Sequence, residues 1–155
     1  MDNEILELLE RESPFFHSPI HGIKHWRTVE RNGLYLSRFT GADEGVISHF
    51  AYFHDCMREN EQIDPGHGLR GAEFAEAHRD SIRLDELQFH QLFEACKHHT
   101  NGKPTTCETI STCWDADRLD IGRVGFEVDP YYLASEEAKR IARCKDFSSL
   151  GEPIE

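Results

Sequence analysis

From Ile23 to Phe39, apolar side chains return at three- and four-residue steps. Ile23, Trp26, Val29, Gly33 and Leu36 form one stripe, as on a helix packed against a core. The same period recurs along the chain. Residues 3 to 12 predict a short acidic helix behind Asp2 as N-cap, which the prolines and glycine of "SPFFHSPIHG" then break. "GADEGVISHFAYFHDCMRE" predicts a third helix with Val46, Ile47, Phe50, Ala51 and Phe53 inward, followed by the turn-forming "NEQIDPGHG". A fourth helix is expected from about Gly68 to His78. A fifth starts at Asp85, where Gln88 three residues on makes a capping-box pattern, and carries Leu87, Leu92 and Ala95. "NGKPTT" reads as a loop. A sixth helix runs from about Cys107 to Ile121 and ends at Gly122, and "EEAKRIARC" behind Ser135 gives a last short one. No β-hairpin pattern and no internal repeat or linker interrupts this. The expectation is one all-α domain over residues 1–155, a single-domain helical bundle of about five core helices plus short terminal ones.

Composition narrows what such a bundle does. The chain carries 17 Lys+Arg against 29 Asp+Glu, a formal net charge of −12, so its average surface repels phosphate polymers and anionic membranes. The expected partner is therefore a small molecule, with no polymeric nucleic acid and no membrane; the oligomeric state is left open. Five cysteines (Cys56, Cys96, Cys107, Cys113, Cys144) contain no C-x-x-C pair, and an odd, irregular set argues for reduced thiols and a cytoplasmic setting. The acidic "MDNEILELLE" start lacks the basic and apolar regions of a signal peptide. Ten histidines, well above the roughly 2–3% share typical of proteins, raise the prospect of metal or proton chemistry.

Where those histidines fall matters more than their number. His54 and Asp55 are adjacent at the end of the apolar run 46–53, and His25 sits on the inward stripe of the second helix, where a leucine would pack better. "WDADRLD" adds Asp115, Asp117 and Asp120 to a helix whose Ile110, Trp114 and Ile121 face inward. Asp117 lies one turn beyond Trp114 and Cys113, on the buried side. Asp115 is rotated from it by about 200° at roughly 100° per residue, so only one of the two is expected inside. A buried carboxylate needs a cation or several donors. His25, His54, Asp55 and Asp117 together offer a divalent ion two nitrogens and two oxygens from three helices.

H…HD…D in this order, on an all-helical chain of this size, resembles the HD-domain metal-dependent phosphohydrolase superfamily. The likeness spans about residues 18–125 and leaves 126–155 as a C-terminal extension. His25 followed by W-R-T-V matches the family's first histidine, His54-Asp55 its doublet and "ADRLD" its final aspartate, which places that ligand on Asp117. In binuclear relatives a histidine in an H-x-x-x-G context and a later His-His pair hold a second metal. The corresponding positions here are His67, with Gly71 four residues on, and one or both of His98 and His99. Those two could equally cap the last carbonyls of their helix. The resemblance implies hydrolysis of a small phosphoester, possibly a nucleotide, by one or two divalent ions; mixed N/O ligation suits Mn, Fe, Co, Ni or Zn better than Mg. It also implies catalytic roles for Asp55, as metal ligand and water holder, for Arg58 as phosphate-binding cation and for Glu59 as acid/base. Lys24, Lys97 and Arg118 adjoin ligands but point about 100° away. His21, one turn before His25, either lines the pocket or begins the helix. "HHTNGKP" lacks the G-Y-P pattern of the cyclic-di-GMP-degrading branch. Two other functions fit the same scaffold: a di-iron oxygenase, and a non-catalytic metal-stabilised binding module.

Overall fold

A computed structural model describes residues 1–102 and 105–151. Lys103 and Pro104, within the expected "NGKPTT" loop, and 152–155 at the end of the C-terminal extension lie outside the described residues. Seven α-helices are present among the described residues: α1 (Asn3–Glu12), α2 (Ile23–Thr40), α3 (Glu44–Phe53), α4 (His67–Ala77), α5 (Glu86–His98), α6 (Glu108–Arg118) and α7 (Glu136–Cys144). There is no strand among them, so the chain is all-α as expected.

Local chemistry sets most helix starts. The side chains of Asp2, Asp43, Asp85 and Ser135 each accept a first-turn backbone N–H, and Asp85 with Gln88 completes a reciprocal capping box. α2 is the central element and packs chiefly on α3 and α6, while α4 lies along α5. Gly33 permits the close approach in the middle of α2, because a Cβ there would collide with Ile47 of α3. Trp26, Val29, Ile47, Phe50, Phe53 and Leu92 form the heart of the core.

Three expectations are corrected. α3 stops at Phe53, with His54 as its C-cap, so the segment 54–59 is a turn and offsets from Asp55 are not helical offsets. α6 stops at Arg118, and a separate 3-10 turn covers Ile121–Val124. Leu87 is exposed because it sits in the first turn of α5, ahead of the buried Phe89–Leu92–Cys96 side.

The extension after residue 126 folds back on the bundle. Leu133, Ala138, Ile141 and Leu150 join Leu36 of α2 and Leu119 in a second apolar cluster. The carboxylate of Asp115 ties it down, accepting from Ala134 N, Ser135 N and Ser135 Oγ, each at 2.8 Å. Asp115 is therefore fully buried, contrary to the expectation that only Asp117 would be inside. The returning segment supplies a second buried face that helix geometry alone does not foresee. No helix among the described residues is long and apolar enough to cross a membrane, and all five cysteines are free thiols.

Candidate metal centre

Four histidines meet as two pairs on either side of Asp55. In the first pair His25 of α2 and His54 at the end of α3 bring their Nε2 atoms to 3.1 Å. The other ring nitrogens fix the tautomers. His54 Nδ1–H donates to the Phe50 and Ala51 carbonyls at 3.1 and 3.0 Å, and His25 Nδ1–H donates to Asp120 Oδ2 at 2.7 Å. Each neutral ring thus aims an Nε2 lone pair at the other, an arrangement that a shared metal ion or a proton would satisfy. Asp117 Oδ1 lies 3.3 Å from His25 Nε2 and 3.8 Å from His54 Nε2, and Asp55 Oδ2 lies 3.8 Å from both.

The second pair repeats the pattern. His67 at the start of α4 and His99 at the end of α5 bring Nε2 atoms to 2.9 Å, with Nδ1–H donating to the Asp64 and Cys96 carbonyls at 2.6 and 2.7 Å. Asp55 Oδ1 is 3.1 Å from His67 Nε2 and 3.6 Å from His99 Nε2. One carboxylate therefore gives one oxygen to each pair. Metal–ligand bonds of about 2.1 Å place neighbouring ligand atoms roughly 3.0–3.4 Å apart, so both donor sets have dimensions that fit a divalent ion. His25–His54–Asp55, His54–His99–Asp117 and Asp55–His67–His99 each offer donor atoms within 4.8 Å of one another.

Tight helix packing positions the second pair. A Cβ on Gly71 would collide with the Phe53 carbonyl, and one on Gly68 with the Cys96 carbonyl and against the His99 ring. Glycines at these two positions let α4 press against the ends of α3 and α5, which carry His54 and His99.

Titration follows from this crowding. Burial opposes charge on His25 and His99, yet the carboxylates outweigh it: Asp117 and Asp120 raise the pKa of His25, and Asp55 raises that of His99. His54 goes the other way, pushed down to about 3 chiefly by burial. Asp55 is held well below the carboxylate range despite its burial, by electrostatic attraction to the imidazoles around it, His54 first, and by its close contacts with His21, His67 and His99; Asp117 is likewise lowered by His25, His54 and Arg123. Without an ion, the raised values of His25 and His99 favour a proton in the place of the cation.

Not every residue singled out in the sequence joins the cluster. His98 keeps 48% of its side chain exposed and faces Glu94 at 3.5 Å, because only the next residue, at the helix end, turns inward. Glu59 is exposed, 3.8 Å from Arg70, since the chain has left the helix before reaching it. Arg58 is buried against Asp55 and His67. His21 is inside, its Nδ1 3.0 Å from Asp55 Oδ2. Two functional neighbours were not assigned from sequence. Asp120 orients His25, and its acidic DxxD spacing from Asp117 was visible. Arg123, 3.8 Å from Asp117 and 4.0 Å from Asp55, had no sequence signal beyond its charge.

The cluster opens into a cleft of about 870 Å³. Asp55, His67, His99 and Asp117 lie along it with Arg58, Arg118 and Arg123, and Ile63, Ile121, Val124, Phe126 and Tyr132 supply apolar wall. Comparison with family models, curated proteins and solved structures found no match.

Proposed function

We propose that this chain is a divalent-metal-dependent phosphohydrolase of the HD-domain type that hydrolyses a small phosphoester, a nucleotide being one such ester. The observation that carries this reading is the division of Asp55 between two lone-pair histidine pairs at the floor of a cleft also lined by arginines. His25, His54, Asp55 and Asp117 would hold one ion, and His67, His99 and Asp55 a second; His98 and Glu59 are too remote to take part. The nitrogen–oxygen donor mixture favours Mn, Fe, Co, Ni or Zn. A bound ion supplies an acidified water at neutral pH and polarises a phosphoryl oxygen.

The protein's own groups do the rest. Asp120 and the carbonyls of Phe50, Ala51, Asp64 and Cys96 hold each imidazole in the metal-binding tautomer. Arg123 and Arg118 offer positive charge to a phosphate in a protein that is otherwise strongly acidic, while the apolar wall excludes water and holds the ester's organic part. The cleft has the size of a small-molecule site, and the net charge of −12 disfavours a polymeric nucleic acid. Five free thiols favour a reducing, cytoplasmic setting.

Phosphate release from nucleoside monophosphates and simple aryl and alkyl phosphates, by protein loaded in turn with each metal, tests the proposal. Turnover is expected with at least one transition metal and loss of it in Asp55→Asn. The same donor set suits a di-iron oxygenase, but the arginines lining the cleft favour an anionic ester. Oxygen uptake by the iron-loaded protein without phosphate release would transfer the assignment to that class. Full metal occupancy with no turnover of any ester would leave a binding module.

A further inference from the structure

Arg58 turns back into the second donor set rather than out into solvent. Its Nη1 lies 3.3 Å from Asp55 Oδ1 and 3.3 Å from His67 Nε2, two of the three atoms of that set, and its side chain is only 7% exposed. The remaining nitrogens anchor it on the adjoining loop, Nε on the Asn60 carbonyl at 3.2 Å and Nη2 on the Gln62 carbonyl at 2.7 Å. A guanidinium keeps its proton in any protein setting, so Nη1 donates into the His67 lone pair and the Asp55 oxygen at once. Among the described residues the first donor set shows no such occupant. Arg123 approaches it only to 3.8 Å from Asp117 Oδ1 and 4.0 Å from Asp55 Oδ2, with Nε and Nη1 bound to the Ile20 and Asp120 carbonyls. The two donor sets thus differ in ligand number, four against three, and, among the described residues, in that only the second already contains a fixed positive charge within hydrogen-bonding distance of its ligand atoms.

We propose that Arg58 is a resident competitor for the second metal position, so that two ions load in order. The His25–His54–Asp55–Asp117 set fills first. The His67–His99–Asp55 set fills only when the guanidinium gives up the His67 lone pair and the Asp55 oxygen and moves, with residues 59–63, toward the cleft that it lines. This inference rests on reading the cluster as a metal centre, but not on hydrolysis.

The test is a calorimetric titration of metal-free protein with Mn²⁺, with bound metal counted by elemental analysis and folding checked by thermal melts. Wild type is expected to bind in two steps, the first at least tenfold tighter, and His67→Ala to lose only the second. Arg58→Gln is expected to tighten the second step at least tenfold and leave the first within about threefold. Arg58→Lys, which keeps the charge but not the fork that holds the loop, is expected to stay close to wild type. Two equal steps in wild type, an unchanged or weaker second step in Arg58→Gln, or an Arg58→Lys variant that behaves like Arg58→Gln would each overturn the competition. Absence of any Mn²⁺ binding in wild type would instead overturn the metal centre itself.

Discussion

Asp115 and Asp117 lie two residues apart on α6, and replacing each should damage a different property. Asp115 accepts three hydrogen bonds at 2.8 Å from the Ala134–Ser135 corner and is fully buried. Asp115→Ala leaves two backbone N–H groups and one hydroxyl without that acceptor and opens a small void. At about 1 kcal/mol for each orphaned donor the loss is about 3 kcal/mol. Some of this is offset, because burial raises the pKa of Asp115 and its charged form is costly to keep inside. A net loss of about 2 kcal/mol corresponds to a melting temperature lower by roughly 4–8 °C for a chain of this size. Metal content should be unaffected, since Asp115 faces the extension and not the histidines. Asp117→Asn keeps the shape but removes the charge 3.3 Å from His25 Nε2, and should weaken the first ion by more than the roughly 10–100-fold typical of lost outer-shell contacts. Thermal melts of metal-free protein and calorimetric metal titration read the two effects separately. An Asp115→Ala protein that is folded but no longer binds metal, or an Asp117→Asn protein with undiminished affinity, would refute the division of roles.

Other outcomes follow from the same geometry. Asp120→Ala frees His25 Nδ1, and metal affinity should drop about 10–100-fold with the fold intact, as measured by competition with a chromogenic chelator. Gly71→Ala drives a methyl into the Phe53 carbonyl and should cost about 1–3 kcal/mol while lowering metal stoichiometry through displacement of His67; urea unfolding and elemental analysis check both. Metal-free protein should be most stable near pH 6.5. Above it the stabilisation from His25 and His99, whose folded pKa values are raised, is lost as pH climbs through those values. Below it His54 and His49, whose folded pKa values are lowered, favour the unfolded state, where they protonate. Saturating metal should abolish the alkaline decline in melting temperature, because the ion replaces the lost protons.

Much of the bundle was legible because apolar spacing and capping side chains act locally. The stripe through Trp26, Val29 and Leu36 and the Asp85–Gln88 box needed no tertiary information. The His25, His54 and Asp117 positions were legible for a related reason: each is a polar group on a face where packing would prefer a hydrocarbon. The failures share a different cause. Asp115 looked solvent-facing because the helix angle assumes one core, whereas the returning segment 126–151 buries the opposite face. Helical offsets from Asp55 pointed to Glu59, but the helix ends at Phe53, and the turn that follows sends Arg58 inward and Glu59 out.

The same break explains why the cluster is affordable in so acidic a chain. Ending α3 at Phe53 and α5 at His98 sets the His54 and His99 rings over their own last turns, where the Phe50 and Ala51 carbonyls accept from His54 Nδ1 and the Cys96 carbonyl accepts from His99 Nδ1. Last-turn carbonyls thereby fix the tautomers of His54 and His99, as Asp120 and the Asp64 carbonyl fix those of His25 and His67, and the four Nε2 lone pairs converge as two pairs flanking the Asp55 carboxylate. Burying Asp55 with no positive charge nearby would be prohibitive. His25, His99 and Arg58 supply that charge in the metal-free protein, two of them as protons that an ion can replace and one as a guanidinium that must move.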